Sequence, residues 1–250
     1  MFPSESPDDP VAQRALHKLE ERGSLDMLSP AGRAHLTPQI AKWLYWAESH
    51  QGSELVYQSE SGLFKALPLN SFYDFPERYE AQIQQGAFLS LELEDGHSRV
   101  LWLAPCTRAD IARSVETVRQ TLPPASERPL QERMLEKMRQ DGHLGFLSKE
   151  GMQHLSLKLL KYLDYAVSIR PGSEVIYRTT NGFIHGDTLD KLLARPELFA
   201  EVPKPLYLTI ETGAISVIFD TADHQPETIH RLIRKAEQMA AGRLNPDSAG

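Results

Sequence analysis

The tripeptide His185-Gly186-Asp187 sets a carboxylate beside an imidazole, an arrangement that could act as a base in phosphoryl transfer. Such a loop needs an asparagine five residues after the aspartate to hold a magnesium ion. Leu192 stands there, and no glycine-rich phosphate loop accompanies it. The segment therefore reads as the polar end of a strand. Cys106, the single cysteine, lies just before a helical stretch. A helix N-terminus lowers a thiol's pKa and can make it a nucleophile. No histidine and acid are placed beside it by the sequence, so a partly buried thiol of ordinary reactivity is expected. One cysteine also excludes an intramolecular disulfide and a cysteine metal cluster.

Two further pairs, His35 with His154 and Glu54 with Glu174, recur at equivalent points of two similar halves. All four could line a site in a groove between the halves, because ligand pockets favour such junctions. The structural alternative has each histidine bonding a backbone carbonyl where its helix meets a sheet, and each glutamate capping a turn. The nine histidines do not cluster at metal-ligand spacing. The chain contains no His-Glu-x-x-His helix, no phosphate-binding loop, no dinucleotide fingerprint and no Gly-x-Ser-x-Gly elbow. No catalytic residue, metal or cofactor is expected.

The elements that would position these residues come in two sets. Leu28-Ser29-Pro30-Ala31-Gly32-Arg33-Ala34-His35-Leu36 matches Leu147-Ser148-Lys149-Glu150-Gly151-Met152-Gln153-His154-Leu155 at an offset of 119. Lys42, Leu44 and Ala47 match Lys161, Leu163 and Ala166, and Trp43 and Trp46 match Tyr162 and Tyr165. After one inserted residue, Gly52-Ser53-Glu54-Leu55-Val56-Tyr57 matches Gly172-Ser173-Glu174-Val175-Ile176-Tyr177. Phe88 to Glu92 then matches Tyr207 to Glu211. Matches in one order along both halves indicate an internal duplication. The expected organisation is a tail at 1–10, repeat 1 at 11–121, a proline-rich linker at 122–130, repeat 2 at 131–241 and a tail at 242–250.

Repeat 2 shows the pattern more cleanly. Residues 131–140 carry apolar side chains at helical spacing, and Gly142 reads as a stop. Ser148 can cap a helix running to about Val167, as Ser29 can in repeat 1, where Pro38 and Thr37 divide the helix. Strands follow at 174–180 and from Phe183, joined by a tight Asn181-Gly182 turn. A short helix at 189–199, a hairpin at 206–219 and a closing helix at 226–240 complete the unit. Each repeat reads α-α-β-β-α-β-β-α. The expected fold class is α+β, with a four-stranded, mostly antiparallel sheet per repeat and helices on one face.

Composition narrows the function. The chain has 250 residues, 41% hydrophobic and 24% charged, with a net charge of −7. Residues 1–120 hold 17 acids and 11 bases, while residues 121–250 hold 17 and 16. Neither half has the basic excess that counterion release needs, so nucleic-acid binding is disfavoured. No run of about 18 apolar residues is present, and the N-terminal stretch does not resemble a signal peptide, so a cytoplasmic protein without membrane insertion is expected. Repeat 1 carries Tyr45 where repeat 2 has Asp164, which suggests a solvent-facing position. It also carries Phe72, Tyr73, Phe75 and Tyr79 in an acidic stretch. Exposed aromatics favour interfaces. The expected function is a non-catalytic protein-binding module, acting as an inhibitor, immunity-type protein or adaptor. An enzyme or small-ligand sensor using the groove between the repeats is the alternative.

Overall fold

A computed structural model describes residues 9–50, 52–83, 85–94, 96–121, 129–169, 172–213 and 216–244. Most of the expected tails and linker, at 1–8, 122–128 and 245–250, lie outside the described residues. The chain divides into two compact units, Met1–Leu130 and Gln131–Gly250. Among the described residues there are 11 α-helices and two four-stranded antiparallel sheets, with the same succession of elements in each half. No helix among them is long and apolar enough to cross a membrane.

Unit 1 opens with α1 (Pro10–Glu21), α2 (Pro30–His35) and α3 (Pro38–Ser49). Each begins with a proline, which loses nothing by lacking an N–H there. The Asp9 carboxylate accepts from the N–H groups of Val11 and Ala12 at 3.0 and 3.2 Å. Ser29 Oγ accepts from Gly32 N–H, and Thr37 Oγ1 from Ile40 N–H. The division of the helix at Thr37 and Pro38 is as the sequence indicates. The strands β1 (Glu54–Gln58), β2 (Phe64–Pro68), β3 (Ala87–Glu92) and β4 (Ser98–Leu103) stand in the order β2-β1-β3-β4. The connection from β2 to β3 carries α4 (Leu69–Asp74) and α5 (Pro76–Glu80), and α6 (Arg108–Thr121) follows β4.

Unit 2 has α7 (Leu130–Gln140), α8 (Lys149–Gln153), α9 (Leu157–Ile169), β5 (Glu174–Arg178), β6 (Ile184–Thr188) and α10 (Leu189–Ala194). A 3-10 turn at Pro196–Phe199, β7 (Leu206–Glu211), β8 (Ser216–Thr221) and α11 (Pro226–Leu244) complete it. Its sheet order, β6-β5-β7-β8, is that of unit 1. So is the register: Glu54 faces Ser90 across β1 and β3, and Glu174 faces Thr209 across β5 and β7.

Three expectations need correction. The helix expected at 148–167 breaks after Gln153 without a proline, and Ser156 Oγ caps α9 by accepting from Leu159 N–H at 3.3 Å. Ser156 stands where Thr37 stands in repeat 1. The turn between β5 and β6 is wider than a two-residue hairpin turn. Thr179 N–H donates to Phe183 O and Gly182 N–H to Thr179 O. Only Gly182, at φ +84°, takes the left-handed conformation, while Asn181 does not. Finally, helices cover both faces of each sheet rather than one. Leu55, Tyr57, Leu67, Leu89, Leu91 and Leu103 pack with Phe72 of α4 and Ile111 and Val118 of α6. Their alternating neighbours Glu54, Val56, Phe88, Ser90 and Val100 are buried on the opposite face. There α3 packs on β1, β2 and β3, and α2 on β4. Val175, Leu208, Phe219 and Ile229 repeat the first layer in unit 2, where α9 packs on β6 and β7.

Buried charges tie α1 to α3. Lys42 Nζ meets Asp9 Oδ2 at 3.1 Å, with both side chains at least nine-tenths buried. Arg22 pairs with Glu48 Oε2 at 3.2 Å and donates to Tyr45 Oη at 3.1 Å, with its guanidinium over the Tyr45 ring. Breaking a buried pair strands a charge, so Asp9→Ala is expected to lower unfolding stability by about 3 kcal/mol, with Asp9→Asn keeping the cap and losing less. Urea denaturation of both variants checks this; equal losses would show that the cap adds nothing to the ion pair, and an Asp9→Asn variant as stable as the natural chain would show that the charge is not the stabilising element.

Candidate functional site

A cleft of about 240 Å³ opens in repeat 1 between the joint of α2 with α3 and one end of the sheet. Its floor is a cross-strand row. Val56 on β1 faces Phe88 on β3, and Phe88 faces Trp102 on β4. Phe64 on β2 extends the floor, while Ala34, His35, Thr37 and Ile40 form the wall. The His35 ring stacks on Trp102, with centroids 4.5 Å apart and planes 19° apart. Phe88 leans on the same indole at 4.7 Å. Gly86, at φ +101°, lets the chain pass under this indole; a Cβ there would lie 2.7 Å from Trp102 Cζ2 and from Leu103 O. Among the described residues, no carboxylate, lysine or arginine lines the cleft.

Repeat 2 treats the equivalent positions differently. The register puts Tyr207 at the place of Phe88 and Asp220 at that of Trp102. Tyr207 Oη donates to Gly151 O at 2.7 Å. Asp220 accepts from the Ser148 backbone N–H at 2.6 Å and from the Ser148 hydroxyl. Arg178, at the place of Gln58, donates to Ser156 Oγ at 3.0 Å. Three polar bridges thus join helix to sheet where repeat 1 has rings and a neutral amide. Gln58 instead donates to Gly62 O in its own hairpin. The cleft residues Phe64, Phe88 and Trp102 were not singled out from the sequence. The exchange of Trp102 for Asp220 between the repeats is the signal that marks them.

The aromatic residues expected at a partner surface separate on inspection. Tyr45 and Phe72 are fully buried, so neither forms part of a surface. Tyr45 faces α1 rather than solvent because its hydroxyl finds Arg22 there, and Asp164, its counterpart, is buried as well. Phe72 anchors α4 in the core. Tyr73 and Tyr79 pack against that core from outside, with Arg108 and Arg78 over their rings at 5.6 and 5.7 Å. Phe75 stands 59% exposed at the joint of α4 with α5.

The four residues of the alternative site sit as follows, each within its own unit. His35 is exposed and lines the cleft, and His154 is exposed at the end of α8; the expectation that their rings bond backbone carbonyls is replaced in His35 by the stack on Trp102. Glu54 and Glu174 are buried on the α3 and α9 faces of their sheets. Glu54 lies in the row of Ser90 and Val100, beyond the cleft floor. Its Oε2 accepts no hydrogen bond, and burial pushes its pKa up to about 7. Cys106 is 3% exposed, and burial, with Asp110 and Glu80 nearby, pushes its thiol up to about 12. Asp187 is held by Lys191 at 2.6 Å and by Tyr177 at 3.0 Å, as befits a structural strand end. Among the described residues, no group of three or more histidine, cysteine, aspartate or glutamate side chains could hold a metal ion.

Comparison of the chain with protein-family models, with curated proteins and with solved structures finds no match.

Two measurements follow from the buried groups. A carboxyl whose pKa is raised by folding holds more protons folded than unfolded, so its contribution is full below pH 4.5 and is lost as pH rises through about 7. Glu54→Gln is therefore expected to stabilise the chain at pH 8 by about 2–3 kcal/mol and to change little at pH 4.5. Urea titrations at both pH values test it, and an equal effect at each would assign the change to packing. Cys106 is expected to resist alkylation at pH 8 in the folded chain and to react when unfolded in urea, as intact mass would report.

Proposed function

We propose that the chain is a non-catalytic protein-binding module, acting as an inhibitor, immunity-type protein or adaptor, with repeat 1 as the contacting unit. The exposure of Phe75 carries this reading. A phenylalanine more than half exposed leaves apolar surface in water, which a partner would remove. Its backbone is held between two short helices, one of them anchored by Phe72, so little entropy is lost on contact. Repeat 2 has the charged Arg195 at the matching position.

The surroundings of Phe75 support the same reading. Asp74 and Glu77 are exposed beside it, and Arg78 and Arg108 lie over the neighbouring tyrosines. An apolar centre with a charged rim is the usual composition of a protein interface. The net charge of −7 favours a protein partner over nucleic acid. Cytoplasmic residence belongs to the same reading and is supported by the single cysteine.

Affinity capture with the whole chain and with Phe75→Ser tests it. One captured protein is expected to be lost in the variant, with a weakening of more than about tenfold when that protein is purified and titrated. Leu198→Ser, at the exposed counterpart of Arg78 in repeat 2, is expected to leave the capture unchanged. An identical catch from all three chains would remove Phe75 from any interface.

A further inference from the structure

The cleft of repeat 1 lies on the α3 face of the sheet, whereas Phe72 and the α4–α5 joint that carries Phe75 belong to the opposite face. It is therefore a separate site. We propose that it binds an uncharged planar aromatic ring system of one or two fused rings, a free small molecule of indole type.

The chemistry of the walls sets the class of ligand. The lining of the space includes the rings of His35, Phe64, Phe88 and Trp102. Rings attract rings through offset and edge contacts, beyond the gain from removing apolar area from water. The polar side chains on the wall besides His35 include Thr37, Gln58 and Gln85, which offer hydrogen bonds to a ring N–H or ring nitrogen without a formal charge. A charged ligand would lose hydration and find no counter-charge. A volume of about 240 Å³ falls below the range of about 300–1,000 Å³ usual for drug-sized ligands, which fits a compact fused ring.

Comparison of the repeats shows that the space is not required by the fold. Tyr207, Asp220 and Arg178 bridge it in repeat 2, each by a hydrogen bond to the α8 segment or to Ser156. In repeat 1 the same three positions carry side chains that make no such bridge: Phe88, Trp102 and Gln58. At three positions the repeats thus differ in the same sense: repeat 2 spans the space with polar bridges, and repeat 1 leaves it as a cleft with Phe88 and Trp102 on its floor.

Titration of the full, 15N-labelled chain with indole tests this, read at the three tryptophan side-chain N–H signals. Saturable movement of the Trp102 signal is expected, with Trp43 and Trp46 on α3 unmoved. Restoring the bridge of repeat 2 in the Thr37→Ser, Gln58→Arg double variant is expected to weaken binding at least about tenfold. Ala34→Phe, an exposed substitution at the cleft wall, provides a second block if the double variant does not fold. Indole-3-acetate is expected to bind at least about tenfold more weakly than indole. Phe75→Ser is expected to leave the titration as it was, so this site and the protein-binding surface fail or stand separately. A chain that shows no saturable Trp102 movement, or blocked variants that bind as the natural chain does, would overturn the proposal. Equal affinity for indole-3-acetate would overturn its restriction to uncharged rings.

Discussion

Both faces of a four-stranded sheet have to be covered, and nearly everything else in each repeat answers to that demand. The inner strands β1 and β3 present apolar side chains on either side: Leu55 and Leu89 toward α4 and α6, Val56 and Phe88 toward α3. An antiparallel sheet often leaves one face to water, but these strands cannot. The first three helices supply one layer and the last three the other. The two layers are fastened differently. The α4–α6 layer is held by apolar packing around Phe72, Ile111 and Val118. The layer of α1 and α3 adds buried ion pairs, Lys42 with Asp9 and Arg22 with Glu48. Such pairs add little net stability, because each charge must first be stripped of water, but losing one partner strands the other.

Much of this was legible because the chain states it twice. Serine or threonine before a helical run, proline at its first residue and glycine after a strand are local signals, and they placed the caps at Ser29, Thr37 and Ser148. The break before α9 was missed for want of a proline. Ser156 stands at the place of Thr37, and the two hydroxyls cap equivalent helices, α9 and α3. The number of covered faces was harder. Glu54 and Ser90 interrupt the apolar run on the second face and make it read as solvated. They are buried all the same, because the α3 layer comes down over the whole row.

Exchange of an aromatic residue for aspartate between the repeats occurs twice, and the two cases have different causes. At Tyr45 and Asp164 both residues are buried, so the exchange does not mark a surface. The Tyr45 hydroxyl is satisfied by Arg22, from 23 residues away, and no local pattern announces that bond. At Trp102 and Asp220 the exchange removes a bridge to Ser148 and leaves a ring facing an open space. The distinction lies in what stands opposite each side chain. A sequence shows that only when register and helix placement are already known. This is why the fold could be read further than the site.

Glu54 shows why a perturbed group is a weak guide to activity here. A carboxyl raised to about pH 7 is poised for proton transfer, and such groups concentrate at active sites. Poise without access does no chemistry, however. Glu54 lies outside the cleft lining, and its shift comes from burial alone. Repeat 2 buries Glu174 at the same register position although its helix and sheet are bridged where repeat 1 is open. A group that served the cleft would be expected to diverge with it. Its retention in both repeats ties the carboxylate to what they share, the packing of α3 or α9 on the sheet. The features that differ, Phe75 on one face and the ringed cleft on the other, are the ones that function could have shaped independently of the fold.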